Sequence, residues 1–237
     1  MMDALLAHED LVELARRIRG EHDVADAVAR AAWTVIAEPG DAVAGTLIAE
    51  LGAADALDFA LGNRSGQASP MGKATERGGH ATRRAMAEGR ARWRPRADPR
   101  AVRDALRGAL DVNATLLVPG DEFWPSSFHD LEANAPSALW VRGRPELLVA
   151  EPRVAVVGAR AASGYGEHVA AELAGDLAAT GAVIVSGGAY GIDGAAHRAA
   201  LGVQGATIAF LAGGVDRAYP ARVISSFCGR SSRRAPS

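Results

Sequence analysis

With 237 residues, 49% of them hydrophobic, and a formal net charge of −2, the chain has the apolar content to bury the core of one medium domain plus a smaller one. Met1-Met2-Asp3 opens no basic segment leading into an apolar stretch, and no run of about 18 apolar residues occurs, so neither a secretory signal nor a membrane span is expected. The single cysteine, Cys228, has no partner for an internal disulfide and no Cys/His cluster suggests a metal, so the expectation is a cytoplasmic protein without cofactor.

The first 60 residues read as helices. Leu5, Leu6, Leu11, Leu14, Ala15 and Ile18 recur at helical spacing up to a stop at Gly20, and "VADAVARAAWTVIA" carries a second stripe through Val24, Val28, Ala32, Val35 and Ile36. Pro39 and Gly40 break it, Asp41 is placed to cap a third helix running to Leu51, and "AADALDFAL" predicts a fourth. A small helical (SAM-like) domain over residues 1–61 is the expectation. Residues 62–99 are rich in Gly, Ser, Arg and Pro and read as a linker, with one short helix in "ATRRAMAEG". The next helix, "DPRAVRDALRGAL", has Asp98 as its cap and Pro99 at its first position.

Charge is unevenly distributed. Residues 1–60 hold 12 Asp/Glu against 4 Arg, a balance of −8, and residues 73–107 hold 11 Lys/Arg against 4 Asp/Glu, a balance of +7. The basic block reads either as a patch for a polyanion or as a solvated Arg-rich connector. Lys73 is the only lysine, so the arginines also reflect composition.

Beyond residue 112 the periodicity changes. Short apolar runs at 114–119, 138–143, 153–158, 182–187 and 207–214 alternate, over the last three, with the helical patterns "GYGEHVAAELAGDLAAT" and "IDGAAHRAAL". In the first of these, Val169, Leu173 and Leu177 stand four apart as its apolar stripe. Strand–helix–strand–helix–strand predicts an α/β, Rossmann-like parallel sheet with crossover helices, its strands buried on both faces. Residues 100–224 are assigned to this core and residues 225–237 to a disordered tail.

Three successive strands end in small-residue turns: "VGARAASGYG", "SGGAYGID" and "AGGVDRAYP". In an open parallel sheet the carboxyl ends share one edge, so the three turns converge into one crevice. Glycine lets the backbone approach a ligand there, and the helix N-termini near Ser163 and Ile192 favour negative charge, so the ligand expected on physical grounds is a phosphate or another anion. The spacing of Gly158, Gly164 and Gly166 does not fit G-x-G-x-x-G, and no G-x-x-x-x-G-K-[ST] occurs, which disfavours a dinucleotide site and excludes a P-loop.

These turns carry a resemblance. Gly158 to Gly166 fits strand-G-[SA]-R-x-x-[ST]-x-Y-G, Ser186 to His197 fits S-G-x-A-x-G-I-D-x-x-A-H, and Gly214 to Pro220 fits G-x-x-x-x-Y-P, the successive signatures of the DNA-processing (DprA/Smf) family. Upstream, "WPSSFHDLEANAPSALWVRG" is similar to the segment that precedes the family's core, with Trp124-Pro125 where Tyr-Pro or Trp-Pro is usual. The likeness covers about residues 112–222. It implies a non-enzymatic protein that binds single-stranded DNA entering the cell in natural transformation, protects it and helps load the RecA recombinase; homodimerisation is usual in the family.

By the resemblance, DNA phosphates lie against Gly158, Arg160, Ser163, Tyr165, Gly166, Ser186, Gly187, Gly188, Tyr190, Gly191, Gly213 and Gly214. Arg160 is the phosphate partner, and Ser163 reads equally as a helix cap and as a phosphate donor. Tyr165 and Tyr190 offer stacking platforms, Tyr190 standing where many relatives carry a basic residue. Asp193 and His197, four apart on one helix, read as a cap and its packing partner rather than as an acid/base pair, and Tyr219-Pro220 fixes the third turn. After Tyr219-Pro220 the resemblance ends at about Ser225. The expectation is therefore a truncated sheet with an exposed apolar edge, poor stability in isolation and no family dimer surface. Two competing readings are a nucleotide-processing hydrolase on a related core, disfavoured because P-G-G-x-G-T-x-x-E is absent, and a remnant without DNA function.

Overall fold

The computed structural model describes residues 1–20, 23–62 and 72–216, with the backbone alone over 72–82. The chain divides into two compact units, Met1–Val141 and Arg142–Ser237.

The first unit is helical. Its helices are α1 (Met2–Leu6), α2 (Glu9–Arg19), α3 (Val24–Ile36), α4 (Ala42–Leu51), α5 (Ala53–Leu61), α6 (Gly72–Trp93) and α7 (Pro99–Asp111), followed by a two-stranded sheet of β1 (Ala114–Leu117) and β2 (Leu139–Arg142). The caps read from the sequence are present: the Asp41 carboxylate accepts from the amides of Val43 and Ala44, and Asp98 accepts from Arg100 N with Pro99 at the first helical position. Leu5, Leu11, Val28, Trp33, Ile36, Leu47, Leu57 and Leu106 are buried. Trp33 Nε1 donates to Ala53 O at 2.9 Å, which satisfies the one polar atom this ring brings into the core.

Two sequence expectations are corrected here. Residues 72–93 of the expected linker form α6, not a short helix within irregular chain. Glycine-rich composition argues against a helix there, but tertiary contacts override it. Trp93 is fully buried edge-on against Trp33, with ring centroids 5.4 Å apart, and Gly89 leaves room for the ring, since a Cβ there would lie 2.8 Å from Trp93 Cη2. The unit boundary also falls at Val141 rather than near residue 100, because α7 and β1 pack on α2 and α3. Residues 63–71 of the linker assignment lie outside the described residues, as does everything beyond residue 216.

Much of the charge asymmetry closes on itself inside this unit. Arg92 pairs with Asp41 at 2.9 Å, Arg96 with Glu38 at 2.5 Å and Arg103 with Asp10 at 2.5 Å, joining the basic block to the acidic helices. Arg90 donates to Phe59 O at 2.8 Å and lies over the Phe59 ring. Arg19 holds the chain after β1 with a two-pronged bond to Asp121 and a third bond to Leu116 O.

The second unit is the predicted α/β core. Strands β3 (Arg153–Ala155), β4 (Val183–Gly187) and β5 (Thr207–Phe210) form a parallel sheet in the order β3-β4-β5, crossed by α8 (Gly164–Ala179) and α9 (Ile192–Gly202). Strands that follow one another in chain order, joined by crossovers of one hand, place both helices on the same face. Ala174 and Ala178 of α8 meet Ala196 and Ala200 of α9 over Ile184 of β4. The expected burial of both faces holds at the central strand, where the neighbours Val183 and Ile184 are both buried, and is corrected at the outer strands, where Ala155 of β3 is exposed and Phe210 of β5 is 42% exposed.

The apolar stripe of α8 is corrected as well. Leu173 is 57% exposed, and the buried line is Ala170, Ala174 and Ala178. α8 and α9 approach closely, with a Cβ on Gly175 only 3.8 Å from that of Ala199, and small side chains permit that approach where leucine would not.

Asp41 carries the heaviest load in the helical unit, since Arg92 Nη2 and Trp93 Nε1 also donate to its carboxylate, at 2.9 and 3.0 Å. Burial pushes its pKa up, but the bonds from Arg92, Ala44 and Trp93 and the charge of Arg92 outweigh this and hold it below the ordinary 3.8. A carboxylate with a lowered folded pKa contributes stability above its unfolded pKa and loses it as pH falls through the folded one. Asp41→Ala should cost about 2 kcal/mol in denaturant unfolding, for a lost cap and an unpaired indole N–H. Asp41→Asn should flatten the decline of stability below pH 3.8.

Candidate functional site

The carboxyl ends of β3, β4 and β5 share one edge, and the turns that leave them touch. After Val156 the chain leaves β3, crosses over the start of α9 and enters α8. Ile192 N donates to Ala159 O at 3.2 Å. Gly191 has φ +74, and a Cβ on it would run into Ala159 O and lie 2.6 Å from Arg160 O. Gly158 is equally constrained, because its Cβ would lie 2.7 Å from Cγ1 of Ile192. Both glycines are therefore required by close approach within the protein, in addition to any ligand. Ile192 sits beneath Gly158 and, at 3.7 Å from a Cβ at Gly166, beneath that residue too, a role the sequence reading did not assign to it.

The first turn is open to solvent. Ser163 is the N-cap of α8, its Oγ accepting from Gly166 N at 3.1 Å, so its hydroxyl oxygen serves the cap and its O–H remains a donor. The N–H groups of Gly164 and Tyr165 open the helix ahead of the first intrahelical acceptor. Arg160 is exposed and forms no ion pair among the described residues, and Tyr165 is 79% exposed.

The second turn is more self-contained. Asp193 is buried, and its carboxylate folds back onto the turn, accepting from Ala189 N at 3.4 Å and lying 2.6 Å from where a Cβ of Gly187 would be. The expected cap role is corrected in detail: Gly191 is the N-cap of α9 and supplies no side-chain bond, since its positive φ calls for glycine, and Asp193 serves the preceding turn from inside the helix. That carboxylate occupies the positive end of α9. Gly188 lies in this turn, partly exposed, and Tyr190 is 52% exposed at its tip.

Ser186 does not face the crevice. It is buried, and its hydroxyl donates to Val156 O at 2.5 Å. His197 is buried too: Nε2 donates to Gly187 O at 2.8 Å, and Nδ1 lies 2.7 Å from Thr207 Oγ1. Its partners are thus a turn carbonyl and a β5 hydroxyl rather than Asp193, and Thr207 is a partner that the sequence reading missed. A lone hydroxyl opening an otherwise apolar strand was the available signal.

In the third turn Gly213 and Gly214 are exposed, and the Asp216 carboxylate lies against Gly214. Tyr219 and Pro220 lie outside the described residues. In the described parts of the three turns Arg160 is the only cation, and the second and third turns carry their own carboxylates.

With this geometry in view, comparison with known proteins is decisive. The DNA recombination-mediator protein A family matches residues 115–227. This segment, just under half of the chain, is similar to the DprA/Smf family. A Mycobacterium tuberculosis protein named for DNA processing, DprA, is 49% identical over 129 residues, covering 50% of this chain and 33% of that protein. Protein Smf of Escherichia coli is 43% identical over 107 residues, covering 45% of this chain and 28% of the relative. The X-ray structure of DNA processing protein A from Streptococcus pneumoniae superposes with a TM-score of 0.52 at 26% identity, over 80% of this chain and 61% of that one. The chain thus spans about a third of the length of the curated DprA/Smf relatives it matches.

Two outcomes are expected. Gly191→Ala should destabilise the α/β unit by about 2 kcal/mol or more, read as a lower denaturant midpoint, because a side chain there combines backbone strain with a collision at Ala159 and Arg160. Burial pushes the His197 imidazole below its ordinary 6.5, against the opposing pull of Gly187 O and the Asp193 charge. The unfolded chain then binds the proton more readily, so stability should fall as pH drops through 6.5 and level off below the folded pKa; His197→Gln should remove that slope.

Proposed function

We propose that this chain binds single-stranded DNA along the carboxyl edge of the β3-β4-β5 sheet, and that it acts without catalysing a reaction. The observation that carries this reading is the asymmetry of the edge. The first turn combines an exposed Arg160 with no ion pair among the described residues, the leading amides of α8, the Ser163 hydroxyl and an exposed Tyr165. The second turn, and the third over its described residues, hold their own carboxylates, so the phosphates lie on the first turn, and Tyr165 and Tyr190 take the bases. Phosphate contact through backbone amides and one arginine is blind to sequence, which suits a protein that handles DNA of any origin. Tyrosine at position 190 makes the site depend on stacking more than on charge.

The non-enzymatic reading is supported by the duties of Asp193 and His197. Both are buried in bonds to the fold, so neither is poised to move a proton on a substrate. In the family's setting the proposal extends to shielding incoming DNA from nucleases and assisting RecA in natural transformation, in the cytoplasm. No helix among the described residues is long and apolar enough to cross a membrane.

Fluorescence anisotropy with a labelled oligo-dT, titrated across salt, tests this. The intact chain should bind with a negative log–log salt slope, Arg160→Ala should reduce that slope by about 1, and Tyr165→Ala should weaken binding by about 1–3 kcal/mol. A folded sample whose binding is absent, or insensitive to both salt and Arg160→Ala, would sink the reading.

A further inference from the structure

The β3–β4 ladder stops at an instructive place. Its register ends at Ala155 opposite Val185, and its last rung is the bond from Val156 N to Val185 O at 2.9 Å. In a parallel ladder the next two rungs would run from Gly187 N to Val156 O and from Gly158 N to Gly187 O. Neither rung is present, and each of these carbonyls is met by a side chain instead. Val156 O takes the Ser186 hydroxyl at 2.5 Å, and Gly187 O takes Nε2–H of His197 at 2.8 Å.

We infer that Ser186 and His197 are positioning residues that end the ladder. By supplying the hydrogen bond that each carbonyl loses beyond the last rung, they let β3 and β4 part at their carboxyl ends and free the 157–163 turn to cross onto Gly191. A carbonyl that loses its partner away from bulk water is costly, and both substitute bonds are part-buried. Both substitutes come from the protein's interior, where water does not compete: Ser186 and His197 are each buried. His197 is in turn braced by Thr207 of β5, whose hydroxyl also lies 2.7 Å from Ile184 O, so the group that ends one ladder is anchored in the next. Neither side chain reaches the ligand edge, which explains why two polar residues of the second signature are buried. The consequence for function rests on the reading that the first turn carries the phosphate backbone: closing the split would pull Arg160 and the α8 N-terminus out of position.

Amide hydrogen exchange on the full-length, 15N-labelled chain tests the split without any DNA. In the native protein the amides of Gly158 and Gly187 should exchange much faster than that of Val156. If they are as protected as Val156, the ladder continues and the inference is wrong. In His197→Ala, Gly187 O is released, and exchange at Gly158 should slow by roughly fivefold or more as the new rung forms, even though overall stability falls. A purely structural role for His197 predicts faster exchange at Gly158 and at every other amide of the sheet, and that result overturns the inference. His197→Gln restores a donor and should keep Gly158 at its native rate. Ser186→Ala, a smaller change, guards against misfolding of the histidine variant and should slow exchange at Gly187 alone. Oligo-dT affinity is read in parallel and should fall at least about fivefold in His197→Ala and recover in His197→Gln. If the native chain fails to bind oligo-dT while the exchange pattern appears, the DNA reading falls and the ladder-ending role stands.

Discussion

The arrangement of the α/β unit depends on one backbone crossing. The chain leaving β3 lays its carbonyls at residues 159 and 160 against Gly191, at a distance that no residue with a Cβ tolerates. That contact sets where α9 begins, gives Ile192 its position under Gly158 and Gly166, and turns Ser163 to the start of α8. The glycines of the two turns are thus first a condition of folding. What they leave for a ligand is the outer surface of the crossing: the amides at the head of α8, with Arg160 and Tyr165 exposed beside them.

The same edge shows how a parallel ladder is brought to an end. Parallel strands pair until something stops them, and here the stop is chemical, two interior side chains replacing the lost backbone donors. Electrostatics then divides the edge. In the described residues, carboxylates at Asp193 and Asp216 fold onto the second and third turns, while the first turn keeps a cation and no carboxylate. In the helical unit the logic is reversed, since opposite charges separated widely in sequence meet and neutralise one another. Arg92, Arg96 and Arg103 are held by Asp41, Glu38 and Asp10, so the basic block is in large part a structural seam. Exposed pairs of this kind add little individually, but Asp41 is buried and also caps a helix and receives an indole, which makes it the exception.

Much of this was legible in the sequence, for reasons that differ by element. The helices over 24–36, 42–51, 53–61 and 99–111 announce themselves through caps and periodicity, which are local, and the parallel core through alternating apolar runs and the three signatures. α6 was hidden because glycine and arginine are poor local evidence for a helix, and its stability comes from Trp93 and from partners more than 50 positions away in sequence, Arg92 and Trp93 both reaching Asp41. The leucine stripe of α8 misled because spacing identifies a face but not which face is wanted. An alanine face packs closer on a neighbouring helix than a leucine face does.

The sequence by itself determined the likeness to the family, the strand and helix order of the core, and the set of residues at its carboxyl edge, because these follow from short-range patterns and from motifs whose spacing is fixed along the chain. The tertiary structure alone decided what each of those residues does. Ser186 and His197 belong to the same motif as Tyr190, yet they point into the sheet and end a ladder while Tyr190 points out. The direction in which strand and helix present a side chain, and the carbonyl left without a partner nearby, are properties of packing that no linear pattern records.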